Sequence, residues 1–83
     1  MHEKARKKIL KYLRYVLDIP YSPTNPLIMK SVMMNFLSPH VRENVLEQEF
    51  AKLCDEGVLE VMSSTGRPDQ LYYIQREHSI WKV

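Results

Sequence analysis

Three prolines within seven positions, Pro20, Pro23 and Pro26, restrict most tightly what this chain can fold into. Each lacks a backbone N–H and pushes the residue before it out of the α region, so no helix can run unbroken past Ile19 until the last of them is cleared. Ser38-Pro39 interrupts the chain again, and Gly57, one of only two glycines, ends the next stretch. Asn25 before Pro26 and Ser38 before Pro39 both read as an N-cap followed by a first-turn proline. The punctuation therefore predicts three helices, over about 3–18, 26–36 and 39–56, with Gly57 in the left-handed position that closes the third.

The apolar pattern supports this division. In the first segment Ala5, Ile9, Leu13 and Val16 recur at helical spacing, with Leu10 and Leu17 widening the stripe. Lys4, Lys7, Lys8, Lys11 and Arg14 take the opposite face, with Tyr12 and Tyr15 at its borders. In the second segment Ile28, Met29, Val32 and Phe36 make one face, while Leu27 and Met34 project elsewhere. The third segment turns Leu46, Phe50, Leu53 and Cys54 inward and leaves His40, Asn44, Gln48 and Asp55 on an outward line, with Glu47 and Ala51 alongside. After Gly57 the period becomes extended: 58–62 and 71–75 are β-prone on either side of a turn-rich stretch. A two-stranded hairpin over about 58–75 is expected, followed by a tail, 76–83, that carries Ile80 and Trp81.

An 83-residue chain of 45% hydrophobic and 27% charged residues is one domain of ordinary globular composition. A chain this short removes only roughly 60–65% of its unfolded surface from water on folding. Homodimerisation would help. Leu27, Met34, Ile80 and Trp81 are the residues left for it, at roughly 25 cal/mol per Å² of apolar area buried. No apolar run reaches the ~18 residues of a membrane span, and the N-terminus lacks an apolar signal core, so a cytoplasmic location without membrane contact is expected. The single cysteine has no cysteine or histidine at zinc spacing, and no metal or cofactor is expected.

Helix, proline-rich loop, helix, tight turn, helix and hairpin is an element order that resembles the winged helix-turn-helix superfamily. The likeness is closest from Phe50 to Ile74: a helix ending Phe50, Leu53, Cys54, then Asp55-Glu56-Gly57-Val58-Leu59-Glu60, a tip with Gly66 and Arg67, and Leu71-Tyr72-Tyr73-Ile74. The resemblance implies an α+β, mainly α fold of three helices and a two-stranded wing, and a small prokaryotic or viral transcriptional regulator that binds duplex DNA. Helix 3 would then turn His40, Asn44 and Gln48 toward base edges, with Arg42 a further contact on the same helix. Arg67 at the wing tip, and Lys7, Lys8 and Lys11 on helix 1, would reach phosphates.

Charge distribution cuts both ways. Up to Leu37 seven Lys/Arg face two acids, whereas from Ser38 onward five face eight. Helix 3 itself carries Glu43, Glu47, Glu49, Asp55 and Glu56 against Arg42 and Lys52, and acids repel a phosphate backbone. The alternative is therefore a winged helix used as a protein-interaction module, with the Met-rich helix 2 or the acidic helix 3 as its surface. His2, His40 and His78 are far apart, there is no glycine-rich phosphate loop, and Cys54 lies on the inward face. No nucleophile, base and oxyanion donors come together, and an enzyme is not expected.

Overall fold

The computed structural model describes residues 2–62 and 71–82, in the order α1 (His2–Leu17), β1 (Leu27–Met29), α2 (Lys30–Leu37), α3 (Glu43–Asp55), β2 (Leu59–Val61), β3 (Leu71–Ile74) and a 3₁₀ turn, Ser79–Trp81. The architecture is α+β and mainly helical. Helix α1 follows its apolar stripe: Ala5, Ile9, Leu13 and Leu17 are buried, and Val16 and Leu10 pack at its edges. Glu3 in the first turn and Arg14 in the last both suit the helix dipole. The proline segment ends α1 as expected. The chain reverses at Tyr21, which is fully exposed and holds a left-handed φ of 66°.

The second segment departs from its sequence pattern. Leu27–Met29 is a strand, and α2 starts only at Lys30 with no side-chain cap at Met29. Pro26 precedes the strand and its carbonyl accepts from Ile74 N–H at 2.9 Å, so it sits where a missing N–H costs no ladder bond. The local signals for a first-turn proline and for a strand-leading proline are the same; pairing with β3 selects the strand. The register sets Leu27, Ile28 and Met29 against Tyr73, Tyr72 and Leu71. Alternation then buries Ile28 and leaves Leu27 and Met29 exposed. With residues 27–29 out of helical phase, α2 turns Met33, Met34 and Leu37 inward, and Val32 and Phe36, expected on one face with Ile28 and Met29, are 53% and 66% exposed while Ile28 is buried.

Helix α3 also begins later than its sequence suggests. Ser38 does not cap it: it is the C-cap of α2, in helical conformation with its N–H on Met34 O at 2.8 Å, and it lies four residues before the N-cap position of α3. Residues 38–42 form a turn, and Arg42 is the N-cap of α3, with no side-chain hydrogen bond. Leu46, Phe50 and Leu53 are buried, as their spacing predicts, and Cys54 is half-buried at the margin. Gly57, at φ 83°, ends the helix in a Schellman closure: Val58 N–H reaches Leu53 O at 3.0 Å and Gly57 N–H reaches Cys54 O at 3.1 Å.

The sheet has strand order β1-β3-β2, all antiparallel, so the two β-prone segments after α3 pair with each other and β1, which precedes α2 in the chain, adds a third strand that the sequence pattern did not predict. In the antiparallel β2–β3 pair Leu59 faces Ile74 and Val61 faces Tyr72. Residues 63–70, with Gly66 and Arg67, lie outside the described residues. The tail docks rather than projecting. The Arg76 guanidinium donates to Thr24 O, Pro23 O and Ser22 Oγ at 2.9, 3.0 and 2.7 Å, and its backbone N–H donates to Asn25 Oδ1, which fastens the proline segment to the end of β3. His78 Nε2 donates to Glu56 O while its Nδ1 accepts from Ile80 N–H, seating the 3₁₀ turn under the end of α3. Ile80 and Trp81 pack on the core and Met34 belongs to it. Of the four residues expected to be available to a second copy, Leu27 is exposed, Met34 is buried, and Ile80 and Trp81 are half-buried. No described helix is long and apolar enough to cross a membrane.

Candidate nucleic-acid interface

The acids of α3 are largely occupied by neighbouring segments. Glu47 accepts from Lys30 at 2.8 Å, and Glu56 meets the Arg6 guanidinium through two hydrogen bonds of 2.9 and 2.6 Å. Glu49 is the least expected: only 2% exposed, its carboxylate lies 3.0 Å from His2 Nδ1 and 3.1 Å from Lys52 Nζ. It occupies the position between Leu46 and Leu53 on the inward face, and that placement among apolar residues is the signal by which sequence reading could have found it. These contacts bind the first two turns of α1 to the outer turns of α3. Among the described residues, Glu43 and Asp55 are the α3 acids without an ion pair.

Burial works against ionisation of Glu49, but the hydrogen bonds from Lys52 and His2 outweigh it and hold the carboxyl below the ordinary value of 4.5. At Glu56 the Arg6 hydrogen bonds lead and act in the same direction. A carboxylate whose folded-state value is depressed stabilises the fold above the unfolded-state value, and that contribution is lost as pH falls through the folded-state value. Stability is therefore expected to be level at neutral pH and to decline from about pH 5 downward. Thermal unfolding of the native chain and of Glu49→Gln across pH 3–7 checks this: the variant should show a shallower decline. Equal pH profiles would contradict the pairing.

On α1 the arrangement is reversed, with more cations than partners. Arg14 is 3.3 Å from Asp18, and Lys7 is 3.7 Å from Glu3 with both side chains exposed. Lys4, Lys8 and Lys11 have no ion-pair partner among the described residues, and their spacing puts them on one side of the helix. Lys8 and Lys11 meet His40 across a groove of about 440 Å³ between α1 and α2, walled by Tyr12, Tyr15, Phe36 and Leu37. The structure thus brings together Lys8, Lys11 and His40; Lys7 lies next to them on a shallower surface with Glu3 and Lys4. His40 belongs to the turn before α3 rather than to the helix. Asn44 and Gln48 are exposed on α3, and Arg42 is exposed at its N-terminus.

A second groove, of about 540 Å³, runs between α3 and β2 and has the opposite character. Glu47, Asp55 and Glu60 surround it with Lys30, over a floor that includes Phe50, Cys54 and Tyr72. Burial pushes the Cys54 thiol up from its ordinary value, which disfavours a reactive thiolate. Among the described residues, the α1–α2 groove is thus cationic and aromatic and the α3–β2 groove is acidic. Compared with known proteins, it is matched by no family model, no curated protein and no solved structure.

Proposed function

We propose that this protein is a DNA-binding transcriptional regulator of the winged-helix type that occupies a site in duplex DNA. The observation that carries the reading is the distribution of unpaired charge. Lys4, Lys8 and Lys11 are left without carboxylate partners on α1, while Glu47, Glu49 and Glu56 of α3 are held by Lys30, by His2 and Lys52, and by Arg6. The repulsion expected from five acids is thereby reduced, and the exposed line on α3 presents the amides of Asn44 and Gln48, which pair with base edges. Two helices joined by a short turn and followed by a hairpin support the same reading, with Arg42 and His40 beside the start of α3 as further contacts. Arg67 is retained as a wing contact. A homodimer would set two such helices on adjacent half-sites.

The test is a mobility-shift titration on mixed duplexes over a salt series. Affinity should fall steeply with salt, by a log–log slope of about −0.9 for each phosphate engaged. Absence of duplex binding at low salt would overturn the proposal. One observation favours a second reading, a winged helix that binds protein: Val32 and Phe36 stand 53% and 66% exposed on α2, an apolar surface that duplex binding does not use. Under that reading the titration is flat at physiological salt.

A further inference from the structure

We infer that the groove between α1 and α2 is a binding site for single-stranded nucleic acid, in which Tyr15 and Phe36 stack on unpaired bases while Lys8 and Lys11 hold the phosphates. This does not depend on the duplex reading above. Tyr15 is 73% exposed and Phe36 66%, so two of the largest apolar side chains of the chain stand largely in water. Helical spacing places Lys8, Tyr12 and Tyr15 along one side of α1, with Lys11 next to them, and Phe36 approaches from the last turn of α2. The Tyr12 and Phe36 rings are 5.6 Å apart and tilted by 51°, so they form a continuous wall rather than a closed stack. Among the described residues, no carboxylate lines the groove.

Aromatic faces interleaved with unpaired cations are the elements by which proteins hold single strands, since every base has a face to stack and every nucleotide a phosphate to neutralise. The two other surfaces described above each lack one half of this pair. The lysine-lined surface of α1 has no aromatic residue and includes Glu3, and the α3–β2 groove carries three carboxylates. From Lys8 to Tyr15 the site extends about 10 Å along α1, longer than the phosphate-to-phosphate repeat of a nucleic-acid strand. An acidic peptide would match the charge, but without aromatic residues it offers no planar face to stack on the exposed Tyr15 and Phe36 rings, as every base does. A single strand therefore fits both the length and the chemistry.

The test uses the full chain and a fluorescein-labelled dT12 oligonucleotide, followed by anisotropy at low salt, with dTMP and polyglutamate as competitors and a duplex measured in parallel. Tyr15→Ala and Phe36→Ala are expected to weaken dT12 binding about 5- to 100-fold, Tyr15→Phe to retain it, and duplex affinity to stay within about twofold. Both side chains are exposed, and unchanged circular dichroism and melting temperature in each variant will show that the fold is kept. dTMP should compete weakly and polyglutamate hardly at all. The inference is overturned by failure to bind dT12, by aromatic variants that bind it as well as the native chain, or by an equal loss of duplex affinity. Displacement by polyglutamate as effective as by unlabelled dT12 would overturn it in favour of an acidic polypeptide. Loss of duplex binding in the native chain with dT12 binding intact would remove the duplex proposal alone.

Discussion

Phe50→Ala is expected to leave most of the chain unfolded or close to its unfolding transition at room temperature. Phe50 is 2% exposed and lies where α3 faces the sheet; its ring meets Tyr72 edge-on at 4.7 Å and 86°, and Lys30 Nζ sits 5.1 Å from the ring centre. Truncating a buried phenylalanine costs about 3–5 kcal/mol, combining lost transfer free energy with the cavity left behind. At roughly 0.05–0.15 kcal/mol per residue, a domain of this size has about 4–12 kcal/mol in total. Lys30 would also lose the ring beneath it while keeping Glu47, so the link between α2 and α3 would loosen. Urea unfolding followed by far-UV circular dichroism checks the loss. Phe50→Leu keeps most of the volume and should cost appreciably less. A midpoint for Phe50→Ala near that of the native chain would mean that α3 does not pack on the sheet through this residue. Leu53→Ala, with its side chain fully buried on the same face, should cost about 2–5 kcal/mol by the same mechanism.

The second large effect concerns DNA. Replacing Lys8 and Lys11 together with alanine should lower duplex affinity by about tenfold or more near 50 mM salt, and flatten the log–log salt slope by about 1.8. The loss should be similar on every sequence, because phosphate contacts carry no base information. Arg14→Ala is the informative control. Its guanidinium is already 3.3 Å from Asp18, so its removal takes away a charge that is partly neutralised, and the slope should change little. If the double substitution leaves both affinity and slope unchanged, α1 is not part of the DNA surface. If Arg14→Ala has as large an effect as the lysine pair, net charge and not the unpaired stripe is responsible.

The groove and the α3 line were unequally legible. Lys8, Lys11, Tyr12 and Tyr15 fall together from α1 periodicity alone, because positions three and four apart share a helix face whatever surrounds them. That Phe36 and His40 complete the same groove could not be read in this way. A helical phase counted from Pro26 puts Phe36 on one face with Ile28, Met29 and Val32, and a helix counted from Pro39 includes His40, whereas α2 starts at Lys30 and α3 at Glu43. The acidity of α3 was plain in its composition, but its neutralisation was not. Arg6 lies 50 residues from Glu56, and His2 lies 47 from Glu49. The clamp of Arg76 on residues 22–25 likewise joins segments that no local pattern connects.

The sequence by itself determined where helices must break and which faces of α1 and α3 are apolar. Both are local matters: proline sterics at Pro20 to Pro26, the left-handed tolerance of Gly57, and the 3.6-residue period of Ile9, Leu13 and Leu46, Phe50, Leu53 act within a few residues of chain. Tertiary structure alone decided that Leu27–Met29 is a strand, that α2 turns Met33 and Met34 inward, and which carboxylates are paired. A three-residue strand has no stability of its own; its backbone groups must find partners, and β3 supplies them from more than forty residues away. Once that pairing forms, the chain enters α2 in a new phase, and the exposure of Val32 and Phe36 follows from it.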